Sequence, residues 1–259
     1  MSMHPYLNIA VKAARLAGKI IIDGVLHPNS ILVSKKPSTI SVSLDLVTSI
    51  DKASEEAIIK TILKAYPDHN IKAEESGEQN SDSTVTWIID PLDGTLNFVH
   101  GFPFFAVSIG VLENDKIEHG VIYNPISDEL FTASRGVGAR LNNKRIRCSE
   151  NNNLKEAFLA VDTNLLLQIQ NKNTNLLPSS GLSRDLGSAA LHLAFVAAGR
   201  LDGYCDFHLK PWDIAAGALL VREAGGYITD FKGQTNFLTN GQVVAANQKI
   251  QPKLLEMFI

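Results

Sequence analysis

Two carboxylates three residues apart, Asp90 and Asp93, stand where the run VTWIIDPLDGTLNF (residues 85–98) stops being apolar. The Val, Ile and Trp of this run read as a buried strand that ends at Asp90. Pro91 fixes its own φ and supplies no N–H, so the two acids can converge on one hard cation. Gly94 permits a tight turn and close approach of a ligand to the backbone. A short helix starting near Thr95 would offer free N–H groups and a positive dipole end to an anion. Metal ligands and a phosphate cradle would then lie side by side. Taken alone, D-P-x-D-G is equally a turn whose acids cap a helix.

Four other positions bear on this motif. Glu74 and Glu75, in KAEESGE, follow an expected strand and by themselves make a solvated acidic turn. Asp51 ends DLVTSID, where its spacing from Thr48 is that of a capping box. Asp213, in KPWDIAAG, falls in the first turn of a helix, where the dipole favours any carboxylate. Lys36 by itself is a surface lysine.

The elements that must place these residues follow from periodicity. Apolar residues at i, i+3 and i+4 over 6–22 predict a first core helix, with Lys12, Arg15 and Lys19 off the stripe. The same stretch superficially suits a mitochondrial presequence, but a core helix accounts for it better. Residues 27–45 read as irregular or a weak hairpin, and a second helix is expected over 47–66, ended by Pro67. Strands are expected near Ile71 and over 85–89, 105–112, 116–123, 129–133 and 138–147. The first half, 1–150, is therefore two helices against a mainly antiparallel sheet. The second half, 151–259, alternates strands near 158–161, 203–207, 227–230 and 243–246 with helices over 188–198, 212–224 and 248–258. The Asn-rich stretch 164–175 reads as polar and mobile.

Composition sets the outer bounds. The chain has 259 residues, 45% of them hydrophobic, and a formal net charge of -3. That balance gives no global reason to expect nucleic acid or an anionic membrane. Two cysteines outside any C-x-x-C pair exclude a disulfide framework and suit a cytoplasmic protein. No apolar run approaches the ~18 residues of a membrane span.

WIIDPLDGTLNF, the EES triplet, DLVTSID and WDIAAGALLVREAGG, in this order, resemble the inositol monophosphatase family, and its bacterial extragenic-suppressor members most. The similarity extends through GVIYNPISDELFTASRGVGARLN and GSAALHLAFVAAGRLDG, nearly the whole chain. These are magnesium-dependent, lithium-sensitive phosphatases. The resemblance implies a layered αβαβα sandwich of α/β (α+β) type and a homodimer. It implies that Glu74, Asp90 and the Leu92 carbonyl hold a first Mg²⁺, and Asp90, Asp93 and Asp213 a second. A third ion would lean on Glu74 through water. Gly94 and Thr95 would bind phosphate through their N–H groups. The Thr95 hydroxyl, paired with Asp51, would orient the attacking water, and Lys36, with Lys35 as rival, would match a loop lysine near the phosphate.

The chain departs from the family pattern in places. Asp206 stands where many relatives carry a Glu that contacts substrate hydroxyls, and it reaches one methylene less far. Leu96 replaces a common Thr, with room to turn into the core. Asp90 and Asp93 are also similar to the D-x-D-G-T of haloacid-dehalogenase phosphatases, but the spacing is one residue longer and Asp213 fits the other pattern. Arg135, Arg140, Lys144, Arg145 and Arg147 fall on an expected hairpin. They read as a charge-protected sheet edge, or as a patch for RNA or the transcription machinery. The expected activity is Mg²⁺-dependent hydrolysis of a small polyol phosphate, myo-inositol 1-phosphate first. Fructose 1,6-bisphosphate, a 3′-phosphoadenosine nucleotide and NADP are the alternatives, and a regulatory binding protein is the reading of another class.

Overall fold

The computed structural model describes residues 3–35, 46–171 and 183–258. Helix α1 (Pro5–Leu26) leads to an antiparallel pair, β1 (Val33–Lys35) and β2 (Leu46–Thr48), and β2 runs straight into α2 (Ser49–Ala65). Next come β3 (Asn70–Ala73), β4 (Gly77–Gln79), β5 (Val85–Asp93), the one-turn helix α3 (Thr95–Val99), β6 (Ala106–Glu113), β7 (Lys116–Asn124), β8 (Glu129–Ser134), β9 (Gly138–Leu141) and β10 (Lys144–Arg145). The strands from β3 onward form an eight-stranded sheet, order β10-β9-β8-β7-β6-β5-β3-β4, antiparallel except where β3 lies beside β5.

The chain continues through β11 (Leu159–Val161), α4 (Thr163–Asn171), β12 (Ser183–Arg184), α5 (Ala189–Ala197), β13 (Gly203–Asp206), α6 (Pro211–Glu223), β14 (Gly226–Thr229), α7 (Phe237–Asn240), β15 (Val243–Asn247) and α8 (Gln251–Leu255). Its strands make a second sheet, order β12-β11-β13-β15-β14. The Asn-rich stretch expected to be mobile begins as helix α4, whose Leu165 is buried. Leu spacing there outweighs the asparagines.

Alternation along the strands builds the layers. Val107, Ile109 and Val111 of β6 face α1 and α2 in one core, together with Ile58, Trp87 and Ile89. Ala106 of the same strand faces the opposite core with Phe131, Leu193 of α5, and Ile214 and Leu220 of α6. Tyr204 and Val243 cover that core from the second sheet, while Cys205 and Val244 face a third core with Leu165 and Leu254. The order is helix, sheet, helix, sheet, helix: an αβαβα sandwich. Each fully buried Ile or Val contributes about 1.5–3 kcal/mol by leaving water.

Small residues seat α6. Gly110 of β6 and Gly120 of β7 are direct cross-strand partners. A Cβ at Gly110 would lie 2.8 Å from the Ala215 Cβ, and one at Gly120 would lie 2.7 Å from the Ala216 carbonyl oxygen. Ser108 Oγ, on the same strand face, donates to the Trp212 carbonyl at 2.9 Å. The start of α6 is thereby pinned to β6.

The basic run lies at the far edge of the large sheet. Arg135 pairs with Glu118 at 2.8 Å, Arg140 reaches the Asn143 carbonyl at 3.0 Å, and Arg145 lies over Gly138. Lys144 and Arg145 end the edge strand β10, both exposed. Among the described residues no helix is long and apolar enough to cross a membrane.

Candidate active site

A β-bulge brings the two acids of the central motif to one face. Asp90 is in register with Ser108, yet Asp93, three residues on, is in register with Ala106, only two residues away. Without that extra residue, alternation would turn Asp93 toward the α1/α2 core, where Leu92 now packs. Pro91 suits the bulge because it has no N–H to leave unpaired. Gly94 then takes φ +94°, and a Cβ there would meet the Phe104 carbonyl oxygen at 3.0 Å. Only glycine fits.

The remaining acids arrive from neighbouring elements. Parallel pairing of Ala73 with Ile89 sets Glu74 beside Asp90, and Glu74 N–H donates to the Ile89 carbonyl at 3.2 Å. Asp213 comes from the first turn of α6, where its Oδ2 accepts from Lys210 N–H at 2.7 Å. Asp90 Oδ1 accepts from Leu92 N–H at 2.9 Å. Asp93 Oδ2 faces the start of α5, accepting from the Ser188 hydroxyl and from Ala190 N–H at 2.7 Å. Asn97 ties the two segments by donating to the Phe104 and Leu186 carbonyls, each at 2.7 Å.

These carboxylates sense one another. Burial pushes Asp90 well above the usual carboxylate range, and the charges of Glu74, Asp93 and Asp213 push it further. Burial lifts Asp93 to about 6, against its hydrogen bonds from Ser188 and Ala190. Asp213 is raised by burial and then by Asp93, with Glu74 and Asp206 adding to it. No Lys or Arg among the described residues pairs with Asp90, Asp93 or Asp213. Neither are three His, Cys, Asp or Glu side chains among the described residues gathered into a group that could hold a metal ion. The donors themselves suit Mg²⁺: carboxylate oxygens and a backbone carbonyl, with no thiolate or imidazole among them.

Asp51 contacts both Thr48 and Thr95. Its Oδ2 accepts Thr48 N–H at 2.8 Å and the Thr48 hydroxyl, closing the capping box of α2. Its Oδ1 accepts the Thr95 hydroxyl at 2.9 Å. Fully buried, Asp51 is raised by desolvation, with the Thr48 and Thr95 bonds opposing. The Thr95 hydroxyl also lies 3.1 Å from the Leu92 carbonyl oxygen, the atom expected to face metal.

Asp206 is less open to a substrate than its position implies. One oxygen accepts the Tyr204 hydroxyl and the other accepts Phe207 N–H at 2.6 Å. Burial raises it to about 7, and Asp162 and Asp185 repel its charge. Leu96 does not turn into the core but is 45% exposed. Lys36 and Asp45 lie outside the described residues. Ser188 and Tyr204 were not expected at the site. Ser188 had a signal, as the cap before an apolar helix; Tyr204, a lone Tyr, had none.

Fold and site together define an αβαβα protein with buried, mutually repelling carboxylates beside a glycine turn. The inositol monophosphatase family model matches residues 2–258, and the chain belongs to that family, whose chemistry is that of a phosphatase. The Nus factor SuhB of Pasteurella multocida is 47% identical over 259 residues, covering 98% of this chain and 95% of that protein. The structure of the extragenic suppressor protein suhB from Bartonella henselae superposes with a TM-score of 0.90 at 40% identity, covering 98% of each chain. The Thermotoga maritima IMPase does so at 0.87 and 34%, covering 98% of this chain and 97% of that one.

Proposed function

We propose that this chain is a Mg²⁺-dependent phosphomonoesterase acting on myo-inositol 1-phosphate or a close polyol phosphate. The observation that carries the reading is that Asp90 and Asp93, from one strand, and Asp213, from a helix far along the sequence, are buried near enough to raise one another's proton affinity, with no Lys or Arg partner among the described residues. Such acids are costly to bury unless a cation accompanies them.

Glu74, Asp90, Asp93, Asp213 and the Leu92 carbonyl would hold two to three ions. Bound there, Mg²⁺ lowers the pKa of water and stabilises the departing alkoxide. The N–H groups of Gly94 and Thr95 orient the phosphate. The Thr95 hydroxyl takes a proton from the attacking water and relays its own to Asp51 Oδ1, 2.9 Å away. Asp51 is suited to receive it because burial raises its proton affinity. The resemblance gives Asp206 to the hydroxyl-bearing end of the substrate, where its oxygens would have to exchange their bonds from Tyr204 and Phe207, and gives Lys36, with Lys35 as rival, to the phosphate.

A second role, as a regulatory binding protein, has its own support in the name Nus factor carried by the Pasteurella relative. Its surface on this chain is the basic edge at β9 and β10, although Arg135 and Arg140 are already engaged locally.

A phosphate-release panel with and without Mg²⁺, over inositol phosphates, fructose 1,6-bisphosphate, 3′-phosphoadenosine nucleotides and NADP, tests the reading. Strictly Mg²⁺-dependent release, fastest from an inositol monophosphate, is expected. Release without divalent metal contradicts the chemistry, and preference for another substrate contradicts the substrate.

A further inference from the structure

Glu55 lies one helical turn beyond Asp51 on the same buried face of α2 and is 3% exposed. Its carboxylate turns toward the segment after β3. Oε2 accepts Glu75 N–H at 2.8 Å, and Oε1 accepts Ser76 N–H at 2.8 Å. The N–H just before them, that of Glu74, donates to Ile89 of β5 at 3.2 Å. Three successive N–H groups are therefore fixed, one by the strand that carries Asp90 and two by the helix that carries Asp51. The backbone of Glu74 is held between them and has little freedom to slide or rotate.

A buried carboxylate is a costly anchor for a surface turn. Taking one N–H on each oxygen offsets that cost and fixes the direction of both bonds. An amide cannot replace it, because one of its two ends would point N–H at N–H. The neighbouring acid one turn earlier, Asp51, accepts the Thr95 hydroxyl. Helix α2 thus grips both chain segments that meet at the acidic centre.

The geometry assigns Glu55 as a positioning residue that holds Glu74 in register with Asp90 and thereby sets the affinity of the centre for divalent metal. It touches neither metal nor substrate. The assignment rests on the proposed role of Glu74 as a metal ligand. Removing a partner that orients a ligand from outside the coordination sphere costs roughly 10–100-fold in metal affinity.

The test titrates Mn²⁺ and Mg²⁺ calorimetrically into the whole chain and into Glu55→Gln, Glu55→Asp and Glu74→Gln, with metal-free thermal melts alongside. Glu55→Gln is expected to weaken metal binding by about tenfold or more and to raise the Mg²⁺ needed for half-maximal turnover equally. Turnover at saturating Mg²⁺ should stay within about threefold of wild type, a split that a folding defect does not produce. Glu55→Asp, which keeps the charge but spans less, should fall between. A lowered melting temperature with unchanged metal affinity overturns the inference and leaves Glu55 a brace. If Glu74→Gln weakens binding and Glu55→Gln does not, the inference fails alone. If neither does, the reading of Glu74 as a ligand fails with it.

Discussion

One oxygen of Asp51 closes the first turn of α2 and the other receives the Thr95 hydroxyl, so the cap and the proposed chemistry would draw on a single side chain. The two contributions separate by mutation. Asp51→Asn should lower turnover by about 10² or more, with the Mg²⁺ dissociation constant within about threefold of wild type. Its cap loss should cost on the order of 1 kcal/mol, a few degrees of melting temperature at this length. Thr48→Val removes the cap hydroxyl and leaves Asp51 Oδ1 in place, so it should share the stability loss and keep most of the turnover. Equal turnover losses in the two variants would assign Asp51 to the helix end alone. Sequence spacing exposed both readings of Asp51 but could not choose, because the Thr95 contact joins residues 44 positions apart.

At the scale of the element, the decisive feature is how closely α6 approaches the large sheet. The facing pair Gly110 and Gly120 leaves no space for a side chain, and Ser108 holds the Trp212 carbonyl just before Asp213. A Val at Gly120 would have to displace the α6 backbone at Ala216, since its Cβ would start 2.7 Å from the carbonyl oxygen. Gly120→Val should destabilise the chain by roughly 1–3 kcal/mol. It should also lower turnover at least tenfold at temperatures where the chain remains folded, because small displacements of a catalytic group are costly. Melts and steady-state rates on the same preparation check both, and full turnover in a folded variant would show that α6 tolerates the shift. Nothing in the sequence marked these glycines, because a strand glycine reads only as a weak point until its facing helix is known.

Over the whole molecule, three cores bind five layers, the middle one enclosing α5 and α6 between the two sheets, and the buried acids lie where the first sheet meets those helices. Much of that was legible in the residues. Apolar runs bounded by turn residues located most strands of the large sheet but not β4, and merged β9 and β10 into one strand; apolar spacing located α1, and small-residue runs located α5 and α6. The bulge after Asp90 was not legible, since its evidence is a register against β6. Nor was α4, whose asparagines masked a buried Leu165. The family motif supplied the site list, whereas the supports at Ser188, Glu55 and Ser108 are contacts across the chain that no local pattern encodes.

Asp90, Asp93 and Asp213 are proposed to act as one cation-binding centre. Calorimetric Mg²⁺ titration of the wild-type chain, Asp93→Asn and Asp213→Asn, each verified as folded by circular dichroism, measures this most directly. The prediction is saturable binding in the wild type and a loss of at least about tenfold in both variants, with turnover reduced to a few per cent or less. Wild-type Mg²⁺ affinity in both folded variants, with activity retained, would contradict it.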